Sequence, residues 1–170
     1  MISKKEYAPY FEQYLKLVSK KNTSIVDNLE VSQIAFERLL RNLLKEKHCF
    51  SYAEGKWTLK ELLQHIIDTE RIFCYRALCF VRDDNMSVSG FDQDLFVTNS
   101  NANHSNYKDL LNEMAILRKG TIFLFNSFSK EYLLKIGVVS DNKISVRALG
   151  YLISGHQLHH LNTIKEKYLP

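Results

Sequence analysis

Two histidines four residues apart, His156 and His160, stand in the apolar stretch 148–164. On a helix, four residues rise about 6 Å and leave the side chains about 40° apart, so both imidazoles project from one face and can hold one ion. The same wheel sets Leu149, Leu152, Ile153 and Ile164 around them and puts His159 at the edge of that stripe. Ionisable rings among aliphatic side chains need partners for their nitrogens. Backbone carbonyls or carboxylates would make the pair core histidines, whereas a cation would make it a metal site. A third histidine has to decide.

His65 is the candidate. It lies on the flank of an apolar stripe through residues 59–82, with Thr69 and Arg76 on the same flank. If this helix and the one bearing His156 are antiparallel neighbours, the three rings come to similar heights. Three neutral imidazoles without a fourth protein ligand leave a coordination position for water, as catalytic rather than structural sites do. Zinc suits three nitrogens; nickel, iron and manganese are also compatible. Such a cation would lower the pKa of a water or thiol so that its anion attacks an electrophile at neutral pH.

Asp68 and Glu70 are the carboxylates near enough to serve as supporting partners or proton acceptors; the alternative is a solvated carboxylate or an ion pair with Arg71 or Arg76. Trp57, Tyr75 and Phe91 are candidates for the pocket mouth, with core packing as the alternative. Cys49, Cys74 and Cys79 form no CxxC pair and are odd in number, so reduced thiols are expected rather than a disulfide framework.

The elements that must position these residues are helices. Two prolines and six glycines in 170 residues leave little punctuation, and 45% hydrophobic with 25% charged residues is an ordinary globular composition. One domain spanning 1–170 is expected, large enough to bury about 70% of its unfolded surface without a metal's help. The charge of +4 is mild and the lysines are scattered, so nucleic-acid binding is not indicated. No run of eighteen apolar residues occurs, and the start has no apolar stretch after its lysines, which predicts a cytoplasmic protein without membrane attachment.

Along the chain, aromatic and aliphatic positions over residues 7–18 predict a short helix that breaks at Lys20 to Asn22. Ser24 with Asp27 can form a capping box opening a first long helix to about Lys47. Thr58 with Glu61 forms a second such box, with Trp57 stapling onto Leu62, and opens a second helix to about Arg82. Residues 83–104 lack helical periodicity and read as a crossover pinned by Phe91, Leu95 and Phe96, long enough for the third helix to run parallel to the second. Leu110, Met114, Leu117, Thr121, Leu124 and Phe128 form the third helix's seam, with Ser105 as cap. Residues 136–145 predict a small hairpin or an irregular loop. Ser145 then caps the fourth helix, in which Gly150 and Gly155 allow a close neighbour. The fold class is all-α, a four-helix bundle with a long crossover between its second and third helices.

Three pieces of the chain, residues 55–78 (including Trp57, Thr58 and His65), Gly90-Phe91-Asp92, and Gly155-His156-Gln157-Leu158-His159-His160-Leu161, resemble the DinB-like superfamily, which includes YfiT-type proteins and bacillithiol S-transferases. The resemblance implies a four-helix bundle with parallel second and third helices, and a three-histidine divalent-metal site mapped onto His65, His156 and His160. Many relatives carry Glu where Gln157 stands; a residue next to His156 points about 100° away from it, so no ligand is lost. The motif is not the HExxH of metalloproteases, which needs that Glu as base.

The resulting expectation is a metal-dependent thiol S-transferase or hydrolase, using a small-molecule substrate and, for transfer, a low-molecular-weight thiol. The alternative is a non-catalytic metal- or ligand-binding module. The resemblance also implies a stress setting, and a bundle of this size is compatible with a homodimer.

Overall fold

Both capping boxes form. Ser24 Oγ accepts from Asp27 N at 3.1 Å and Asp27 accepts from Ser24 N at 3.0 Å, while Thr58 Oγ1 accepts from Glu61 N at 3.2 Å and Glu61 accepts from Thr58 N at 2.7 Å. In a computed structural model that describes residues 2–18, 23–83 and 86–169, they open α2 (Ile25–Leu40) and α3 (Leu59–Arg82). The break expected at Lys20 to Asn22 lies outside the described residues. Ahead of it, short 3-10 turns at Lys4–Glu6 and Pro9–Phe11 lead into α1 (Glu12–Val18), a shorter helix than the pattern predicts because Pro9 starts a new turn.

α2 stops at Leu40, not Lys47. The Leu40 carbonyl accepts the Tyr107 hydroxyl at 2.9 Å, and His48 bonds the Leu43 carbonyl at 3.2 Å, so side chains take carbonyls that would have carried the helix onward. Leu44, inside the helix expected to reach Lys47, is 64% exposed.

The crossover is more ordered than its composition implies. It contains β1 (Ser87–Val88), α4 (Gln93–Asn99, capped by Asp92) and a 3-10 turn at Ala102–His104. α5 (Tyr107–Asn126) is capped by Asn106, not Ser105. Its buried face is Tyr107, Leu110, Met114, Arg118, Thr121 and Phe125, which leaves the predicted seam residues Leu117 and Leu124 half-buried. A short α6 (Lys130–Leu134) precedes the hairpin β2 (Ile136–Val139) and β3 (Asn142–Ser145), with β1 pairing parallel to β2. Ser145 Oγ accepts from Ala148 N at 3.0 Å and opens α7 (Val146–Thr163), whose last turn widens into a π-turn at Ile164–Tyr168.

α2, α7, α3 and α5 pack in that order around a four-helix bundle. Asn103, just ahead of α5, bonds Thr58 and Glu61 at the start of α3, while Thr121 lies against Cys74 farther up, so α3 and α5 run parallel as predicted. Tyr168 bonds the Trp57 carbonyl while His156 meets His65, which makes α7 antiparallel to α3.

The apolar side chains form two clusters stacked along the bundle. One contains Leu29, Phe73, Phe125 and Ile153; the other contains Phe36, Ile67, Met114 and Leu161. Between those positions each long helix contributes polar residues: Ser32 and Gln33, Glu70, Arg118, and His156 with Gln157, all buried. This polar layer holds the histidines. No described helix is long and apolar enough to cross a membrane.

Candidate metal centre

His65 sits two turns into α3, 3% exposed, with the Trp57 ring packed 4.7 Å from its own between ring centroids. The four-residue spacing on α7 brings His156 and His160 to the same place. His156 Nε2 lies 3.1 Å from His65 Nε2 and 3.0 Å from His160 Nε2, and all three candidate ligand atoms fall within 4.8 Å of one another. His159 turns aside, its ring edge-on to Tyr14 at 5.2 Å.

Burial keeps these rings neutral. Desolvation, with a smaller contribution from His159, pushes the His65 pKa down to about 4. Desolvation also drives His156 and His160 well below the ordinary imidazole value, aided by the neighbouring histidines. A neutral imidazole nitrogen is either one donor or one in-plane acceptor. His156 Nε2 therefore cannot satisfy both neighbours with good geometry. A cation can: nitrogens held tetrahedrally about 2.0–2.1 Å from a common metal stand about 3.3–3.4 Å apart, a few tenths of an ångström more than the two close pairs. The donor set fits a divalent ion of the zinc, nickel, iron or manganese class.

A cavity of about 220 Å³ opens on His65 and His156, lined among others by Tyr14, Thr69, Phe73, Arg76 and Phe91, with Ser140 and Asn142 of the hairpin at its rim. Gly155 permits this arrangement. A Cβ there would stand 2.3 Å from the Tyr14 carbonyl oxygen, so only glycine lets α1 lie on α7 and lean Tyr14 over His156, ring centroids 5.6 Å apart. His160 faces a second opening with Tyr52, Lys56, Trp57 and Tyr168.

The DinB superfamily matches this chain over residues 28–164, which include all three histidines. The chain belongs to that superfamily. Among solved structures, YfiT from Bacillus subtilis, described as a probable metal-dependent hydrolase with an unusual four-helix bundle topology, is similar with a TM-score of 0.75 and 16% identity, over 98% of this chain and 87% of that one. At that identity the likeness establishes the fold. Comparison with curated proteins finds no match.

The other residues singled out by sequence fall in different places on this DinB bundle. Asp68 is held outside the site by Gln64 at 2.9 Å and Arg71 at 3.3 Å. Glu70 points into the bundle and takes a bidentate pair from Arg118, at 2.9 and 2.7 Å, plus the Thr121 hydroxyl at 2.7 Å. Arg118 also donates to the Leu29 carbonyl at 2.6 Å, to Ser32 Oγ at 3.0 Å and to Gln157 Oε1 at 3.0 Å. Trp57 and Phe91 reach openings beside the histidines. Tyr75 does not: it is 60% exposed and lines a separate groove with Met86 and Phe96, because its position on α3 faces away from α7. Cys74 is half-buried against the Thr121 hydroxyl, and desolvation raises its thiol pKa to about 11, the opposite of an activated nucleophile.

Sequence reasoning missed Tyr14 and Arg118. Tyr14 gives no local signal, since nothing in its neighbourhood says that α1 crosses α7. Thr69 and Arg76 were detectable, four and eleven residues after His65 on the same helical flank.

Proposed function

We propose that this chain is a divalent-metal-dependent enzyme acting on a small molecule, with His65, His156 and His160 as the metal ligands. A cation held there would supply a nucleophile at neutral pH by lowering the pKa of a coordinated water or thiol. The supporting observation is the convergence of three neutral Nε2 atoms, 3.0 and 3.1 Å apart for the two close pairs, with His65 and His156 lining a cavity and His160 a second opening. Hydrolysis is the form we favour: water adds across the bond that breaks, and a proton leaves with the departing group. Transfer of a low-molecular-weight thiol to an electrophile is the second form.

The chain's own residues orient and enclose. Trp57 packs on His65 and limits its ring rotation, and Phe73 and Phe91 give the cavity an apolar wall. Desolvation raises the Tyr14 pKa, so at neutral pH it is a phenol able to donate a hydrogen bond to a substrate oxygen. Asp68 and Glu70 are both engaged elsewhere, which favours a different reading, a metal-binding module without turnover.

The test is elemental analysis of protein purified without a histidine tag, beside His65→Ala, His156→Ala and His160→Ala variants checked by circular dichroism. Near-stoichiometric metal in the parent, lost from each folded variant, supports the ligand set. No binding of added zinc or nickel above micromolar affinity refutes it. Metal-loaded protein that turns over none of a panel of esters, amides and thiol acceptors favours the binding module.

A further inference from the structure

Among the described residues, the buried and half-buried arginines pair with carboxylates, except Arg76. Arg118 pairs with Glu70, and the half-buried Arg147 pairs with Glu6. Arg76 is only 5% exposed, yet among the described residues no carboxylate lies within ion-pair distance of it. It donates to the Ser89 carbonyl at 3.1 Å, and its guanidinium carbon lies 5.9 and 5.8 Å from the ring centroids of Phe73 and Phe91. Cation–π contacts of this kind offset only part of the cost of burying an unpaired charge. Among the described residues no side chain supplies that anion.

Thr69 points to the same conclusion by another route. A threonine inside a helix normally turns its hydroxyl to the carbonyl four residues back. Thr163 does so at 3.2 Å to His159, and Thr121 instead donates to Glu70 at 2.7 Å. Thr69, 3% exposed, leaves Oγ1 without a partner among the described residues while lining the cavity beside His65, His156 and Arg76. Thr69 and Arg76 sit about 40° and about 20° around α3 from His65, and about 6 Å and about 16 Å along it. Long helical side chains lean toward the N-terminus, which carries the guanidinium back toward Thr69 and the histidines.

We propose that this cavity is an organic-acid subsite, in which Arg76 pairs with the carboxylate of an extended small-molecule substrate and Thr69 bonds a polar group of it nearer the histidines. The metal-enzyme reading above is needed only for the reacting end. One guanidinium among phenylalanines matches a monoanionic carboxylate bidentately, whereas a phosphate dianion would keep an unpaired charge in the same apolar wall.

Hexanoate, with hexanamide as its neutral counterpart and hexyl phosphate as the competing anion, tests this by calorimetry on the full chain with and without zinc. We expect metal-free protein to bind hexanoate at least tenfold tighter than hexanamide and tighter than hexyl phosphate. Arg76→Gln should abolish the acid-over-amide ratio and Arg76→Lys retain part of it, both checked by circular dichroism. Equal binding of acid and amide by the parent, or a ratio that survives Arg76→Gln, overturns the proposal. Preference for hexyl phosphate overturns the carboxylate assignment. Zinc content in the same samples separates the two readings. Zinc-treated protein that retains no zinc but keeps the ratio sinks the metal enzyme and leaves the subsite; bound zinc with no ratio in either sample does the reverse.

Discussion

Arg118→Met should be among the most damaging single substitutions in the protein. Arg118 and Glu70 are each 2% exposed and joined by two bonds of 2.9 and 2.7 Å. Taking the cation away leaves a buried carboxylate uncompensated, which costs about 3–5 kcal/mol. The Leu29 carbonyl and Gln157 Oε1 lose donors as well, so we expect a loss near the top of that range, about 5 kcal/mol, a large fraction of a domain's stability. Glu70→Met with Arg118→Met removes both charges and should recover most of it, because the pair's desolvation cost disappears with its attraction. The site should respond too. Gln157 anchors α7 one residue from His156, so releasing it should weaken zinc binding about tenfold, as loss of outer hydrogen bonds does at metal sites. Urea unfolding followed by circular dichroism gives the stabilities, and competition with a chelator gives the zinc affinities. An Arg118→Met variant less than about 1 kcal/mol weaker than the parent, or a double variant as weak as the single, would refute the reasoning that this layer is a buried, mutually compensated network.

Acid should destabilise the metal-free protein in a defined window. Because the His65 pKa falls to about 4 on folding, the unfolded chain takes up a proton below about pH 6.5 that the folded chain refuses until about pH 4. Stability present above pH 6.5 is therefore lost as pH falls through that window, about 3 kcal/mol for His65, with His156 and His160 acting in the same direction. Urea midpoints that stay flat between pH 7.5 and 5 would contradict this. Gly155→Ala sets a Cβ 2.3 Å from the Tyr14 carbonyl oxygen, which is backbone and cannot rotate away, so α1 must shift at a cost of about 1–3 kcal/mol; an unchanged melting temperature would show that α1 is not held there. Thr58→Ala removes the cap of α3 and the 2.6 Å bond to Asn103 that ties the crossover down, for about 1–2 kcal/mol, while Thr58→Ser should be nearly neutral in the same thermal unfolding assay.

The sequence by itself determined the helices and the histidine pair, because both depend on residues within one or two turns of each other. Capping boxes at Ser24 and Thr58 are local hydrogen bonds, the apolar stripes repeat every turn, and a four-residue spacing places His156 and His160 together on any helix. Length and composition also marked residues 83–104 as a crossover, although not as a strand and a helix, since β1 exists only where β2 pairs with it. Tertiary structure decided whatever depended on a distant partner. α2 ends where the Tyr107 hydroxyl, 67 residues away, takes its carbonyl, and Leu44 is left outside the bundle. Arg118 enters the buried face of α5 because Glu70, 48 residues away, meets it there; in a one-dimensional pattern a charge reads as surface, and burial becomes affordable only once the counter-charge is placed. Tyr14 joins the cavity because Gly155 lets α1 approach α7. The sequence thus marked the three histidines, while their surroundings came from packing, since the cost of burying a polar group depends on what the rest of the chain brings against it.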